Sequence, residues 1–178
     1  TPEKFRQLTE GIDLAGKRVL DIGCNLGAMC AMAKDAGAAR VMGVDMNRDY
    51  IEQARTLWPD LSFNCRTAHG ITGTWDVIIM SAMWHYVKDP ETVLNQVARC
   101  LADDGVVTMD VWMDSSHTGI AMQVMTERGL WIPNMAGFRV MAHKSFGGIG
   151  NTKGWALSPD DSERRLLHLN CPRPIPAK

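Results

Sequence analysis

The stretch VLDIGCNLG (residues 19–27) runs a Leu-rich, β-branched segment into an acid, Asp21, and then into a glycine turn that opens a helix-like segment, GAMCAMAKDAGA (27–38). A short apolar run ending in glycine is the pattern of a strand buried in a parallel sheet. Gly23 permits backbone geometry that a Cβ obstructs, and Gly27 lets a helix start approach a ligand closely. A dinucleotide fingerprint wants glycine at the first, third and sixth positions of this turn, which here are Gly23, Asn25 and Ala28. The middle one fails. Asp21 also opposes a pyrophosphate, because a carboxylate beside an anion-binding helix start repels phosphate charge and suits a cationic ligand instead.

The pattern repeats along the chain. RVMGVDMN (40–47) reads as a second strand ending in a second acid, Asp45, where a carboxylate can accept both hydroxyls of a ribose. Asn47 reads as the N-cap of a helix over RDYIEQARTLW (48–58), stopped by Pro59. LSFNCRTA (61–68) and TWDVIIMSAM (74–83) read as the third and fourth strands, the latter central because it is nearly continuously apolar. Asp89 and Pro90 cap a helix whose apolar face is Val93, Leu94, Val97, Ala98 and Leu101, and GVVTMDVWM (105–113) is a fifth strand. Ser115 or Ser116 is expected to cap a helix through IAMQVMTERG (120–129). FRVMAHKSF (138–146) and ERRLLHLNC (163–171) are expected to form an antiparallel end to the sheet, joined by a loop holding Gly147, Gly148, Gly150 and Gly154. CPRPIPAK (171–178) is expected to be extended.

Alternating strands and helices imply an α/β, doubly wound, three-layer architecture with a parallel sheet and right-handed crossovers. Ligands bind such a sheet at the carboxyl ends of its strands, so chemistry is expected in the loops after residues 21, 45, 66, 80 and 111. One domain over residues 1–178 suits a chain of 178 residues, 46% apolar and 22% charged. Nineteen Lys and Arg against twenty Asp and Glu give a net charge of −1, with no basic stripe to hold nucleic acid or anionic lipid. The longest nearly apolar run, VIIMSAMW (77–84), is far short of the roughly 20 residues of a membrane helix. The opening TPEKFRQLTEG shows no secretory leader, and the absent initiator Met suggests a trimmed or processed start. Cys24, Cys30, Cys65, Cys100 and Cys171 are odd in number and lack any CxxC pair, as expected of reduced thiols in a cytoplasmic protein rather than a disulfide framework or metal site.

An adenosine carrying an amino acid with a positive sulfonium satisfies Asp21 and Asp45 together. The chain resembles the class I S-adenosylmethionine-dependent methyltransferases over about residues 17–170. VLDIGCNLG resembles their first motif, GVDMN (43–47) the ribose-binding acid motif, WDVIIMSAMWHYVKD (75–89) the fourth-strand motif, and LADDGVVTMDVW (101–112) the glycine turn into the fifth strand. The resemblance implies a Rossmann-like seven-stranded sheet of order 3-2-1-4-5-7-6 with strand seven antiparallel. It further implies that Asp21 and the backbone around Gly23, Cys24, Asn25 and Gly27 hold the methionine part of S-adenosylmethionine, and that Asp45 takes the ribose with Met46 on the adenine face. The loop after strand three, Thr67, Ala68 and His69, lacks the acid that the family often offers to the adenine amino group, so the resemblance implies that a backbone carbonyl or a hydroxyl of these cofactor-binding candidates serves there. Asn25 departs from the commonest glycine, a variant that occurs in several branches, some acting on RNA.

SAMWHYVKD (81–89) then lies at the reactive end of the cofactor. Methyl transfer is dominated by alignment, and a base is needed only where the acceptor must lose a proton. His85 is the candidate base, Ser81 a candidate lining residue, and Trp84 and Tyr86 candidate walls of the acceptor pocket. Trp112, Met113 and His117, with Phe146 and Trp155, are further candidates for acceptor recognition. The expectation is a methyltransferase acting on oxygen or nitrogen of a small molecule, without a metal, as a monomer or homodimer. RNA or tRNA is the alternative acceptor, which the charge balance disfavours. A catalytically silent cofactor-binding module is the alternative of another class, and a nucleotide-dependent oxidoreductase a third reading that Asp21 and Asn25 oppose.

Overall fold

The computed structural model describes residues 1–116, 118–120, 124–126, 130–146, 155–156 and 164–170. The elements in order are α1 (Pro2–Leu8), β1 (Arg18–Ile22), α2 (Ala28–Asp35), β2 (Arg40–Asp45), α3 (Arg48–Leu57), β3 (Ser62–Cys65), β4 (Trp75–Met80), α4 (Pro90–Cys100), β5 (Leu101–Trp112), β6 (Val124–Met125), β7 (Trp131–Ile132), α5 (Met135–Phe146), β8 (Trp155–Ala156) and β9 (Arg164–Asn170). The main sheet has the order β3-β2-β1-β4-β5-β9-β8. Six of its strands have four residues or more, and β8 adds a two-residue edge. β1 to β5 are parallel, and β9 runs antiparallel to both β5 and β8. This is the doubly wound order that the motifs imply.

Local chemistry explains the helix boundaries in the first hundred residues. Asn47 Oδ1 accepts the N–H groups of Asp49 and Tyr50, and Asp89 Oδ1 accepts that of Thr92 with Pro90 in the first turn. Val93, Leu94 and Val97 of α4 pack with Phe138, Met141 and Ala142 of α5 on one face of the sheet. On the other face, Leu8 of α1, Cys30 and Ala33 of α2, and Ile51 and Ala54 of α3 cover Val19, Val77 and Ile79. Phe138 is fully buried, and truncating such a side chain costs roughly 3–5 kcal/mol.

Three expectations are corrected. The strand expected from residue 105 starts at Leu101, opposite Trp75, and a register shift between Trp75 and Val77 takes up the extra residues before Val106. The segment expected as a helix over 120–129 instead contains β6, paired antiparallel with β7. Ser116 bonds back to Asp114 rather than capping a helix, and Thr126 N–H donates to Leu130 O at 2.8 Å. Residues 138–146, expected as a strand, belong to α5. Asn134 Oδ1 accepts Gly137 N–H at 2.8 Å as its cap, and Phe138, Met141, Ala142 and Phe146 fall on one helical face. The strand next to β9 is therefore β8, at Trp155–Ala156.

Candidate functional site

The glycine turn after β1 is the structural centre of the site. β1 delivers Asp21, opposite Gly43 of β2 and Ile79 of β4, in a position only 1% exposed. Cys30 Sγ, on α2, donates to Asp21 Oδ2 at 3.5 Å. Burial pushes the Asp21 carboxyl up to about 7; the Cys30 thiol pulls it down in part, and the charge of Asp45 adds to the rise. The N–H groups of Gly23 and Cys24 both donate to Val44 O, at 2.8 and 3.0 Å, which ties the turn to β2. Gly23 has φ +75°, and a Cβ there would lie 2.8 Å from Cβ of Met83. Gly27 has φ +81°, and a Cβ there would lie 2.6 Å from the Phe63 ring. Between them Asn25 adopts φ +50°, a conformation that Asn tolerates better than most residues.

Asp45 closes this turn from the next strand. Its Oδ2 accepts Asn25 N–H and its Oδ1 accepts Asn47 N–H, each at 2.9 Å. A carboxylate has about four acceptor positions, so both oxygens keep capacity for a diol. Met46 follows, 74% exposed. Thr67 and His69 lie exposed beyond β3, and Ala68 is half-buried at the start of a 3₁₀ turn. Arg66 N–H donates to Asp45 O at 2.9 Å, so this segment is tied directly to the Asp45 backbone. Of the expected cofactor residues, Gly23, Cys24, Asn25 and Gly27 lie on one turn between the ends of β1 and β2, with Asp21 and Cys24 buried, Asp45 bonded to Asn25 and Met46 exposed. Two carboxylates thus flank one turn, at whose two glycines Met83 and Phe63 leave no room for a Cβ.

The segment after β4 supplies the other wall. Ser81 is half-buried, Ala82 adopts φ +53°, and Ala82 N–H donates to Oδ1 of Asp110 at 2.9 Å. His85 is buried, with its ring 4.2 Å from that of Tyr86 and 6.2 Å from that of Trp112. Tyr86 is exposed and Trp112 half-buried, so these three candidates come together beside the turn. Trp84 does not join them. It is 2% exposed and packs edge-on against Phe138 at 5.7 Å, which makes it core rather than an acceptor wall. Met113 and Phe146 are buried in the same core. His117 lies outside the described residues, as does the side chain of Trp155.

Several residues at the site escaped the sequence reading. Trp58 Nε1 donates to Leu26 O at 2.9 Å and braces the glycine turn, yet in sequence it is only the end of a helix. Phe63 and Met83 fill the space that Gly27 and Gly23 leave open. Asp110 is wholly buried and binds Lys4 Nζ at 3.3 Å. The available signal was a lone carboxylate within the otherwise apolar VVTMDVWM.

Residues 2–172 match a family model described as a methyltransferase domain. The chain belongs to the class I S-adenosylmethionine-dependent methyltransferases. Among curated relatives, it is 32% identical over 104 residues to a ubiquinone biosynthesis O-methyltransferase of Neisseria meningitidis serogroup A, covering 53% of this chain and 44% of that protein. It is 29% identical over 102 residues to a trans-aconitate 2-methyltransferase of Afipia carboxidovorans, covering 55% and 40%. The matched portion is thus less than half the length of these relatives. An S-adenosylmethionine-dependent methyltransferase from Mesorhizobium loti shares the fold with a TM-score of 0.74 at 16% identity, over 94% of this chain and 97% of that one. So does a Burkholderia thailandensis 1,6-didemethyltoxoflavin-N1-methyltransferase, with a TM-score of 0.73 at 15% identity over 96% and 77%. The latter structure holds 1,6-didemethyltoxoflavin and S-adenosylhomocysteine.

Proposed function

We propose that this chain is an S-adenosylmethionine-dependent methyltransferase that methylates oxygen or nitrogen of a small molecule, with residues 1–178 acting as one domain. The observation that carries the reading is the pairing of two carboxylates around one rigid turn, Asp45 bonded to Asn25 N–H and Asp21 buried at the turn's foot. A cationic ligand favours the ionised form of Asp21, which burial otherwise disfavours. Membership of the family supports the cofactor. The small-molecule acceptors named for the relatives from Neisseria and Afipia, and for the Burkholderia structure, support the acceptor class. The near-neutral charge supports it too, since phosphate-rich acceptors usually meet clusters of Lys and Arg.

When bound, S-adenosylmethionine supplies a methyl group already activated on a sulfonium. The chain's own residues then bind and align. Asp21 holds the cationic amino-acid end, and Asp45 accepts the ribose hydroxyls while keeping the Asn25 and Asn47 amides. Gly23 lets Met83 pack directly against the turn, which sets where that wall of the pocket stands. Tyr86 and Trp112 flank the acceptor, and a ring nitrogen of His85 takes the proton that an acceptor O–H or N–H gives up. Alignment of this kind supplies most of the rate, and a positioned base contributes about 10²–10⁴-fold.

The reading is tested by incubating the protein with S-adenosylmethionine carrying a labelled methyl group. The acceptor panel contains phenols, carboxylic acids and nitrogen heterocycles, beside RNA. S-adenosylhomocysteine release with a small acceptor supports the proposal. Release with RNA alone moves the acceptor class, and tight cofactor binding with no release from any acceptor favours a silent binding module.

A further inference from the structure

Helix α1 is fastened at both ends to the strands that carry the reactive side of the site. Near its start, Lys4 Nζ lies 3.3 Å from Asp110 Oδ2, with the Lys4 side chain 21% exposed and that of Asp110 fully buried. At its end, the carbonyl of Leu8 accepts Thr108 Oγ1 at 2.6 Å, and His168 Nε2 stands 3.1 Å from the same oxygen. Asp110 uses its other oxygen, Oδ1, to accept Ala82 N–H at 2.9 Å. Ala82 is a non-glycine residue at φ +53°, a conformation that costs an L-residue energy and persists where its surroundings hold it. The next residue, Met83, is the one whose Cβ would sit 2.8 Å from a Cβ placed on Gly23.

We infer that Lys4 is a positioning residue for the site: it neutralises Asp110, and Asp110 holds the strained Ala82 turn that seats Met83 against the glycine turn. A buried carboxylate that loses an ion-pair partner is held less firmly, and that changes how it holds an amide. The N-terminal helix thereby reaches the cofactor pocket through one ion pair and one hydrogen bond. The effect on ligand binding rests on the methyltransferase reading, whereas the coupling from Lys4 to Ala82 does not.

Hydrogen exchange of backbone amides by nuclear magnetic resonance reads the coupling, and calorimetry with S-adenosylhomocysteine reads its consequence. Lys4→Met is expected to speed Ala82 and Met83 exchange at least tenfold while Val77 to Ile79 of β4 change less than threefold. It is also expected to weaken S-adenosylhomocysteine binding at least fivefold. Lys4→Arg restores the cation and should return both measures to within threefold of wild type. Lys4→Met/Asp110→Asn removes the charge that needs neutralising while keeping an acceptor for Ala82 N–H, and should recover Ala82 protection to within threefold. Ala82 protection unchanged in Lys4→Met, protection lost equally across β4, or a double variant no better than Lys4→Met would each overturn the inference. Wild-type protein that fails to bind S-adenosylhomocysteine counts against the proposed function, and the exchange measurements still decide the coupling.

Discussion

Asp45, at the tip of β2, accepts the backbone N–H of Asn25 across 20 residues of sequence at 2.9 Å. The same carboxylate accepts Asn47 N–H, so one side chain joins the turn after β1, the start of α3 and the proposed ribose site. A hydrogen bond to a charged group contributes about 1.5–3 kcal/mol, and each 1.4 kcal/mol is tenfold in affinity. Asp45→Ala should therefore weaken S-adenosylmethionine binding at least tenfold by calorimetry and also lower the melting temperature, because two amides lose their acceptor. Asp45→Asn, which keeps one carbonyl oxygen, should melt nearer to wild type while still binding weakly.

Asp21 makes stability depend on pH in a defined direction. Its folded-state value of about 7 stands above the ordinary value of 3.8, so the folded protein holds a proton that the unfolded chain releases. No contribution exists below pH 4, where both states are protonated. As pH rises from 4 to 7 the folded state loses ground, and above 7 the full penalty, on the order of 4 kcal/mol, is present. Asp21→Asn removes that component, so its melting temperature relative to wild type should climb between pH 5 and 8 while cofactor binding is lost. Parallel melting curves for the two proteins across this range would remove the raised carboxyl from the account.

His85 sits under Tyr86 and beside Trp112, so its loss disturbs packing as well as proton transfer. His85→Phe keeps a ring at that place. Turnover with a proton-bearing acceptor should fall at least tenfold in both His85→Ala and His85→Phe, with cofactor affinity within threefold of wild type. Full turnover in His85→Phe would reject the base role and leave a packing role.

Gly27 and Gly16 separate two kinds of glycine requirement. Both have positive φ, but a Cβ at Gly16 meets nothing within 4 Å, whereas one at Gly27 meets Phe63 at 2.6 Å. Gly16→Ala should cost only conformational strain, roughly 1–2 kcal/mol. Gly27→Ala adds overpacking of about 1–3 kcal/mol and should melt several degrees lower than Gly16→Ala. Phe63→Leu in the Gly27→Ala background should recover part of the difference.

What the sequence made legible follows from where local rules dominate. β1, β2 and β4 read as strands because both their faces are covered, and the caps at Asn47 and Asp89 work through atoms one turn away. The helix expected over 120–129 and the strand expected over 138–146 are not found because these patterns are short and ambiguous. Val124 and Met125 lie in a helix-like run, yet they pair with Ile132 and Trp131, beside a bond from Thr126 N–H to Leu130 O. FRVMAHKSF carries a β-branched residue and alternation at its start, yet its burial at Phe138, Met141, Ala142 and Phe146 is helical, and the cap that sets it, Asn134, stands four residues upstream. At the site, Asp21 and Asp45 were legible because each ends a strand before a turn. Trp84 reads like its neighbours in sequence, but in this short 3₁₀ turn it packs against Phe138 in the core, while the His85 ring meets those of Tyr86 and Trp112. Lys4 and Trp58 act across long sequence separations, which no local pattern reports.

The most direct measurement is calorimetric titration of S-adenosylmethionine at pH 6 in two buffers of different ionisation enthalpy. At that pH an amino acid's α-amino group stays protonated, so Asp21 is the group expected to exchange a proton on binding. The account predicts saturable one-site binding accompanied by release of close to one proton, both abolished in Asp21→Asn. Binding of full strength in Asp21→Asn, or NAD binding more tightly than S-adenosylmethionine, would contradict it.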